Sequence, residues 1–271
     1  MVQTTFRKIK KKYLFSIITP SFKRTGNLKK QYNKILKQKK NHLMEWILVL
    51  EKNDLLSMQY ARKIKIEKKI QIKIVTNTKG FSSAFKNGAI KANGEYISFL
   101  GDDDFLAKNV FLTLEKNIKL YSPKWIIGYG CYLNQNGKKI RNTITKLKNF
   151  MLSKYNPNIL CLVDYIMTPS SFCKKEYLKK VGYFKNIHWY GNDYVCWIRL
   201  SRIIKPTIIK KTLSYATYSN ATYSGSFDYK RYLNLYQNIS KETNNTLIKL
   251  MQFIIITYIL SHNFFLKKII N

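Results

Sequence analysis

Three consecutive aspartates, Asp102, Asp103 and Asp104, stand in "GEYISFLGDDDFL" (94–106), directly after an apolar run. Adjacent carboxylates repel one another, so the triplet is favourable only where a cation or abundant water offsets the repulsion. Carboxylate oxygens are hard ligands of the kind Mg²⁺ and Mn²⁺ select. Such ions are commonly held by one or two protein carboxylates together with the phosphates of a substrate. An isolated acidic turn is more often simply solvated. Here the triplet ends a strand-like run, and glycines and an amide-rich helical segment precede it, which points to a cation that neutralises a diphosphate.

The elements that must position this turn are legible in the hydrophobic pattern. Four short apolar runs recur, "LFSIIT" (14–19), "WILVL" (46–50), "IKIVT" (72–76) and "YISFL" (96–100). Polar, lysine-rich segments long enough for helices separate them, including 27–38 and 82–93. In the second of these, Ala84, Gly88 or Ala89, and Ala92 share a face, and Ser82 is placed to cap the N-terminus. Strands alternating with helices predict βαβ units and a parallel sheet. Ligands of such sheets bind beyond the carboxyl ends of the strands. The loops "PSFKR", "EKND", "NTKG" and "GDDD" are therefore where a nucleotide would be met. After residue 107 a helix over roughly 108–120 leads to "WIIGYGCYL" (125–133) and a hairpin turn in "NQNGKK", which predicts a mixed α/β second half. With no internal repeat and no Pro- or Ser-rich linker, one continuous domain to about residue 215 and an appended tail are expected.

A chain of 271 residues that is 45% hydrophobic can bury a sizeable core. Its 49 basic and 14 acidic residues give a formal charge of +35, which favours polyanionic partners: nucleic acid, anionic lipid or phosphorylated small molecules. The lysine comes with abundant Ile, Asn and Tyr, a bias that an AT-rich coding sequence also produces without any function. Cys131, Cys161, Cys173 and Cys196 stand far apart, with no histidine at ligand spacing. That argues against a zinc site or a disulfide framework and suits buried thiols in a reducing compartment. The opening "RKIKKKYLFSIITPSF" mimics a signal peptide, but its apolar run is short and Pro20 ends it, so a cytosolic start is expected.

"FSIITPSF", "GFSSAFKNGAIKANGEYISFLGDDDFL" and "TPSSFCKKEYLKKVGYFKN" followed by "GNDYVCWIRL" resemble, in order and spacing, the successive blocks of family 2 glycosyltransferases with the GT-A fold. The resemblance spans roughly residues 13–200. It implies an α/β fold with a Rossmann-like nucleotide-sugar-binding half (13–107), a mostly parallel central sheet flanked by helices, and a mixed α/β acceptor-binding half (108–215). A helical, apolar and basic tail (216–271) follows. The implied reaction moves a sugar, with inversion, from a nucleotide-sugar, a UDP-sugar foremost, to a hydroxyl of a glycan or lipid-linked acceptor. Mn²⁺ or Mg²⁺ assists, and the setting is surface polysaccharide or glycoconjugate biosynthesis.

The same resemblance distributes roles. Pro20, Ser21 and Phe22 would touch the nucleoside, and Glu51, with Asp54 nearby, would hold the base where the family usually shows paired aspartates. In the DxD-type motif Asp102 would approach the ribose and Asp103 the metal, with Asp104 as a second candidate and Gly101 where many relatives carry another aspartate. Lys79 and Lys86 are candidates for neutralising phosphate, and Asn87 belongs to the same donor set. Asp193 falls at the general-base position, with Asn192 in place of the family's glutamate; an aspartate at a helix start is also favoured by the helix dipole alone. Arg199 would close on this region or pair with Asp193, and His188, Trp189 and Tyr190 would form an aromatic acceptor wall. The late metal-binding histidine of many relatives has no counterpart in "LSYATYSNATYSGS", which leaves Ser224 and backbone groups.

Residues 246–266 are strongly apolar, but Gln252, His262 and Asn263 interrupt them, and the uninterrupted part is shorter than the roughly 20 residues a spanning helix needs. A helix lying in the membrane interface through 246–268 is expected, with Lys249, Lys267 and Lys268 meeting anionic headgroups; a core or dimer helix is the alternative. The protein would then be cytoplasmic, peripheral on the inner face of a membrane. Two other functions compete. A sugar-nucleotide nucleotidyltransferase requires a glycine-rich phosphate loop after the first strand, which "TPSFKRTGN" fits poorly. A basic nucleic-acid-binding protein accounts for the charge but leaves "GDDD" and "GND" unexplained, so no nucleic-acid partner is expected.

Overall fold

The computed structural model describes residues 13–77, 80–184, 191–218 and 229–257. Its first half is the expected alternation. Strands β1 (Phe15–Ser21), β2 (Met44–Glu51), β3 (Gln71–Asn77) and β4 (Tyr96–Phe99) are linked by helices α1 (Thr25–Leu36), α2 (Leu55–Ile66) and α3 (Phe81–Lys91). They lie side by side in the order β3-β2-β1-β4, all parallel.

The second half is mixed. It comprises β5 (Phe105–Leu106), α4 (Val110–Tyr121), β6 (Trp125–Leu133), β7 (Lys139–Ile140), α5 (Asn142–Ser153), the short α6 (Pro157–Leu160), β8 (Ser171–Lys174), α7 (Lys175–Lys180), α8 (Asn192–Ile203), β9 (Thr207–Thr217) and α9 (Tyr229–Ser240). The sheet continues from β4 through β8, β6 and β9 to β5, and β7 pairs with β6. Strand β8 is antiparallel to both its neighbours, whereas β6 and β9 run parallel. The "NQNGKK" hairpin forms as expected, with Asn134 and Lys138 bonded across the turn between β6 and β7.

Strands β1 and β2 are buried along nearly their whole length because helices cover both faces of the sheet. Successive residues alternate between two cores. Phe15, Ile17, Trp46 and Leu48 enter one with Leu28, Tyr32 and Ile35 of α1, and Ile18, Ile47, Val49 and Phe99 enter the other with Ala84, Phe85 and Ala89 of α3. Small residues on α3 let it lie close: a Cβ at Gly88 would stand 2.4 Å from Ile18 Cγ2. Ser82 does not cap this helix. Gly80 precedes the first turn, and the Ser83 hydroxyl donates to its carbonyl at 2.8 Å. All four cysteines are free and buried, as expected.

At the amino edge of the sheet Glu45 is fully buried. Its carboxylate accepts from Ser16 Oγ (2.6 Å), the Gly94 amide (3.2 Å), Asn93 Nδ2 (3.2 Å) and the Asn93 amide. It thereby fixes the turn that delivers the chain from α3 into β4 and on to the aspartates. Such a buried carboxylate is tolerated only because several donors satisfy it.

Candidate active site

The carboxyl ends of β1, β2, β3 and β4 lie on one edge of the sheet. Strand β8 is antiparallel to β4, with Ile97 opposite Cys173, so β8 starts at this same edge. The 3-10 turn Thr168–Ser170 that leads into it is therefore brought to the aspartates' side. Strand β9 pairs with β5, Phe105 against Tyr215, and so ends there too.

The acidic turn is clamped from two sides. Gln31 Nε2, buried on α1, donates to the carbonyls of Gly101 (2.8 Å) and Asp104 (3.0 Å). From the end of β9 the Thr217 amide donates to Asp104 Oδ1 (2.9 Å) and its hydroxyl to the Asp103 carbonyl (2.5 Å). Asp102 is buried and already committed: Ser21 Oγ donates to Oδ2 at 2.7 Å, Arg24 Nη1 to Oδ1 at 3.2 Å, and the Asn27 side chain adds a further bond. Arg24 Nη1 also lies 3.5 Å from Asp103 Oδ2.

Burial is the first cause that lifts all three carboxyls above the ordinary carboxylate range; repulsion from Asp102 adds to it at Asp103, and repulsion from Asp103 at Asp104. The Arg24 guanidinium opposes the rise at Asp102 and Asp103 without cancelling it. Full ionisation of all three together is therefore disfavoured unless a further cation offsets it. Asp103 Oδ1 and Asp104 Oδ2 converge beside the bare Cα of Gly101, 3.2 and 2.8 Å from where a Cβ would be. Two hard oxygens from neighbouring residues fit Mg²⁺ or Mn²⁺. Among the described residues no group of three or more His, Cys, Asp or Glu could hold an ion alone, so water or phosphate oxygens would have to complete its coordination.

Other expected donor residues divide into struts and surface groups. Pro20 and Ser21 are buried, Pro20 opposite Val49 of β2, while Phe22 is exposed with the Lys23 ammonium 5.1 Å from its ring centroid. Glu51 ends β2 half-buried, in register with Asn77. Asp54 is a strut: it caps α2 by accepting from the Ser57 amide (3.2 Å) and also accepts from the Lys23 amide (2.7 Å), tying together the loops after β1 and β2. Asn87 Nδ2 donates to Asn77 Oδ1 at 2.8 Å, joining α3 to the end of β3. Lys86 is half-buried on α3, and Lys79 lies outside the described residues.

Asp193 occupies the first turn of α8, after Gly191 in the left-handed region (φ 81°). Thr168 Oγ1 donates to its Oδ2 at 2.5 Å and the Tyr194 amide to its Oδ1 at 2.9 Å. Lys148 of α5 and Asp164 lie in the same electrostatic neighbourhood. Burial pulls the lysine down, but Asp164, Tyr132 and Asp193 more than reverse this. Asp164 is pushed up to about 6, first by burial and further by Asp193, with Lys148 opposing. Arg199 departs from expectation: it does not pair with Asp193 but places Nε and Nη2 at 2.8 and 2.5 Å from Glu242 Oε1, while Arg202 takes Oε2 at 3.2 Å. His188, Trp189, Tyr190 and Ser224 lie outside the described residues. Nothing local marks Lys148 among so many lysines; Thr168 sits inside the "TPSSF" block, and that placement is its only signal.

The sequence pattern that defines glycosyl transferase family 2 matches residues 16–182. No curated protein sequence matches the chain. Among solved structures, residues 1–349 of S. aureus TarS in complex with UDP-GlcNAc superpose with a TM-score of 0.68 at 16% identity, covering 88% of this chain and 69% of that one. The Pyrobaculum calidifontis mannosyltransferase PcManGT, in complex with GDP-Man and Mn²⁺, gives 0.64 at 13% identity, covering 84% and 63%. Against a longer TarS chain the score is 0.62 at 17% identity, and this chain spans only 41% of it. At such identities the likeness is one of fold, and the fold is the GT-A arrangement expected from the sequence.

The Asp164 carboxyl titrates near 6 in the folded chain against an ordinary 3.8. Protonation therefore favours the folded state below the lower value, and that contribution is lost as pH rises through about 6. Asp164→Asn, which cannot ionise, should gain melting temperature relative to wild type between about pH 4 and pH 7 when unfolding is followed by circular dichroism. A difference that stays constant with pH would show that Asp164 titrates like an exposed carboxylate.

Proposed function

The chain belongs to glycosyl transferase family 2, and on that footing we propose that it moves a sugar from a nucleotide-sugar, foremost a UDP-sugar, to a hydroxyl of a glycan or lipid-linked acceptor, with inversion. The observation that carries this reading is the turn itself: two carboxylate oxygens converging beside Gly101, on the edge of the sheet where Asp193 is also held. Support for a nucleotide-sugar donor comes from the solved relatives, one with UDP-GlcNAc and one with GDP-Man and Mn²⁺. Family membership weighs against both the nucleotidyltransferase and the nucleic-acid-binding alternatives.

In this reading residues 13–107 bind the donor and 108–215 the acceptor. Phe22 offers an exposed ring to the nucleoside, and Glu51 offers a carboxylate to the base at the end of β2. Asp103 and Asp104 would hold Mn²⁺ or Mg²⁺, which when bound neutralises charge on the departing diphosphate. Asp193, its carboxylate oriented by Thr168 and the Tyr194 amide, accepts the proton of the acceptor hydroxyl. The hydroxyl oxygen forms a bond to the anomeric carbon from the face opposite the phosphate. The carbon–oxygen bond to the diphosphate breaks, and its electron pair leaves with the nucleotide.

A membrane-bound or lipid-linked acceptor agrees with the tail. Residues 246–257 form a helix that packs on the domain through Ile248, Gln252 and Ile256, with Gln252 Nε2 donating to the Cys161 carbonyl at 2.8 Å. Its other side exposes Leu247, Leu250, Phe253 and Ile254. Among the described residues no helix is long and apolar enough to cross a membrane. An apolar helix face on a chain of charge +35 suits peripheral contact with an anionic bilayer, on its cytoplasmic side, and a place in surface polysaccharide or glycoconjugate biosynthesis.

Thermal unfolding with UDP, GDP or CDP, each with and without Mn²⁺, tests the donor site. UDP at about a hundred times its dissociation constant should stabilise the fold by about 2.7 kcal/mol, only when Mn²⁺ is present and not in Asp103→Asn. No response to any nucleotide would remove the reading. Asp193→Asn should leave that stabilisation intact while lowering turnover about 10²- to 10⁴-fold; unaltered turnover would exclude Asp193 as the base. For the tail, sedimentation with phosphatidylglycerol vesicles should exceed that with phosphatidylcholine and fall several-fold in the double variant Leu250→Asp, Phe253→Asp. Equal partitioning of variant and wild type would exclude the membrane contact.

A further inference from the structure

Arg24 occupies the position just before α1, a poor place for a cation. The amino end of a helix carries partial positive charge, and the first turn of α1 contains no acidic residue and no side-chain cap. What offsets the local disadvantage is the acidic turn. The guanidinium, about half exposed (49%), places Nη1 3.2 Å from Asp102 Oδ1 and 3.5 Å from Asp103 Oδ2. Asp102 is the anchor of this arrangement, because Ser21 Oγ holds its other oxygen at 2.7 Å and its side chain is nearly buried. Asp103 is the more exposed partner and makes the longer contact. A single nitrogen thus bridges the residue that is fully committed and the residue whose remaining oxygen converges with Asp104 beside Gly101.

We propose that Arg24 is an internal counter-ion that competes with a divalent cation for Asp103. In the donor-free enzyme the guanidinium partly neutralises Asp103 and weakens its hold on the metal. A diphosphate offers the same guanidinium a second anion, whose oxygens it can engage through two N–H groups. Binding of the donor then frees Asp103, so that metal and nucleotide enter together rather than the metal alone. The inference rests on the reading of Asp103 and Asp104 as the metal pair. It adds a residue whose effect on the metal and on the nucleotide should have opposite signs.

The test is calorimetric titration of the intact protein with Mn²⁺ in the absence of nucleotide, and with UDP at saturating Mn²⁺. Arg24→Gln should bind Mn²⁺ about tenfold more tightly than wild type, the scale on which one neighbouring opposite charge alters a carboxylate, and should bind UDP about tenfold more weakly. Arg24→Lys keeps the charge and should restore weak Mn²⁺ binding, a result that also shows the glutamine variant is not simply misfolded. Lys30→Gln makes the same change of net charge elsewhere on α1 and should leave both affinities within about twofold. Equal or weaker Mn²⁺ binding by Arg24→Gln overturns the proposal, as does an equal gain in Lys30→Gln, which would reduce the effect to net charge. Loss of Mn²⁺ binding in every protein even with UDP present would instead overturn the metal reading on which it rests.

Discussion

Mutual repulsion among Asp102, Asp103 and Asp104 is the constraint around which the molecule is organised. A turn that concentrates three carboxylates is closed locally only by backbone bonds such as that from the Asp104 amide to the Gly101 carbonyl (3.1 Å), and the side chains that restrain it come from afar. Ser21, Arg24 and Gln31 reach it from the amino-terminal end of the chain, and Thr217 from more than a hundred residues downstream. Each restraint depends on a particular strand adjacency. The parallel pairing of β1 with β4 brings the end of β1 alongside Asp102, and the pairing of β5 with β9 sets Thr217 against Asp103 and Asp104. One face of α1 reaches the turn through Arg24, Asn27 and Gln31, while Leu28, Tyr32 and Ile35 anchor the same helix in the core. Packing energy from the apolar residues thus holds the polar ones in a geometry that they would not adopt alone.

The second half solves a different problem, which is to return a carboxylate to that same edge. A further parallel βα unit would carry its helix start to the carboxyl edge only after another long crossover. Inserting β8 antiparallel between β4 and β6 reverses the chain, so that the turn before β8, rather than the one after it, faces the aspartates. Thr168 is in that turn, and its hydroxyl fixes Asp193 at the start of α8. Gly191, in the left-handed conformation, gives the chain its entry angle into the helix; a Cβ there would also meet Leu235 of α9 at 2.5 Å. Asp193 therefore combines a helix-start position with a bond to a residue on the strand side of the site, and the two roles foreseen for it are compatible.

Legibility in the sequence follows the range of the forces involved. Strands β1, β2 and β4 are readable because burial on both faces writes a largely apolar run, and β6 is readable for the same reason to the residue, whereas the partly exposed edge strand β3 is readable from Ile72, Ile74 and Val75. Strands β5 and β7 have two residues each, too few for any period, and exist only because a neighbour supplies the ladder. Placing the chemistry in the loops after the parallel strands needed only the general behaviour of such sheets, and "GDDD" followed from it. What each aspartate does was less accessible. The family resemblance assigns Asp102 to the ribose; the pattern does not disclose that Ser21 and Arg24, brought from far along the chain, bond both of its oxygens. Arg199 misled for the same reason: its partner Glu242 is more than forty residues away, in a segment with no motif. Local pattern carries the elements, and long-range pairing carries the roles.

The charge balance gives the site its character. Acidic residues are scarce, 14 against 49 basic ones, and several have defined structural duties: Glu45 at the amino edge, Asp54 at the cap of α2, Glu115 with Lys40 and Lys119, Glu242 with Arg199 and Arg202. Against that economy, three carboxylates in one turn stand out as a local reversal of sign. A field of +35 would draw the nucleotide diphosphate of the proposed donor toward the protein at long range, but the last few ångströms of approach to Asp103 and Asp104 would be repulsive. Only a cation between carboxylate and phosphate reverses that repulsion. The fold keeps one half-exposed guanidinium at the turn and leaves two oxygens convergent beside a glycine, so that under the proposed function the approach of a diphosphate and the arrival of a metal ion would be parts of a single electrostatic event.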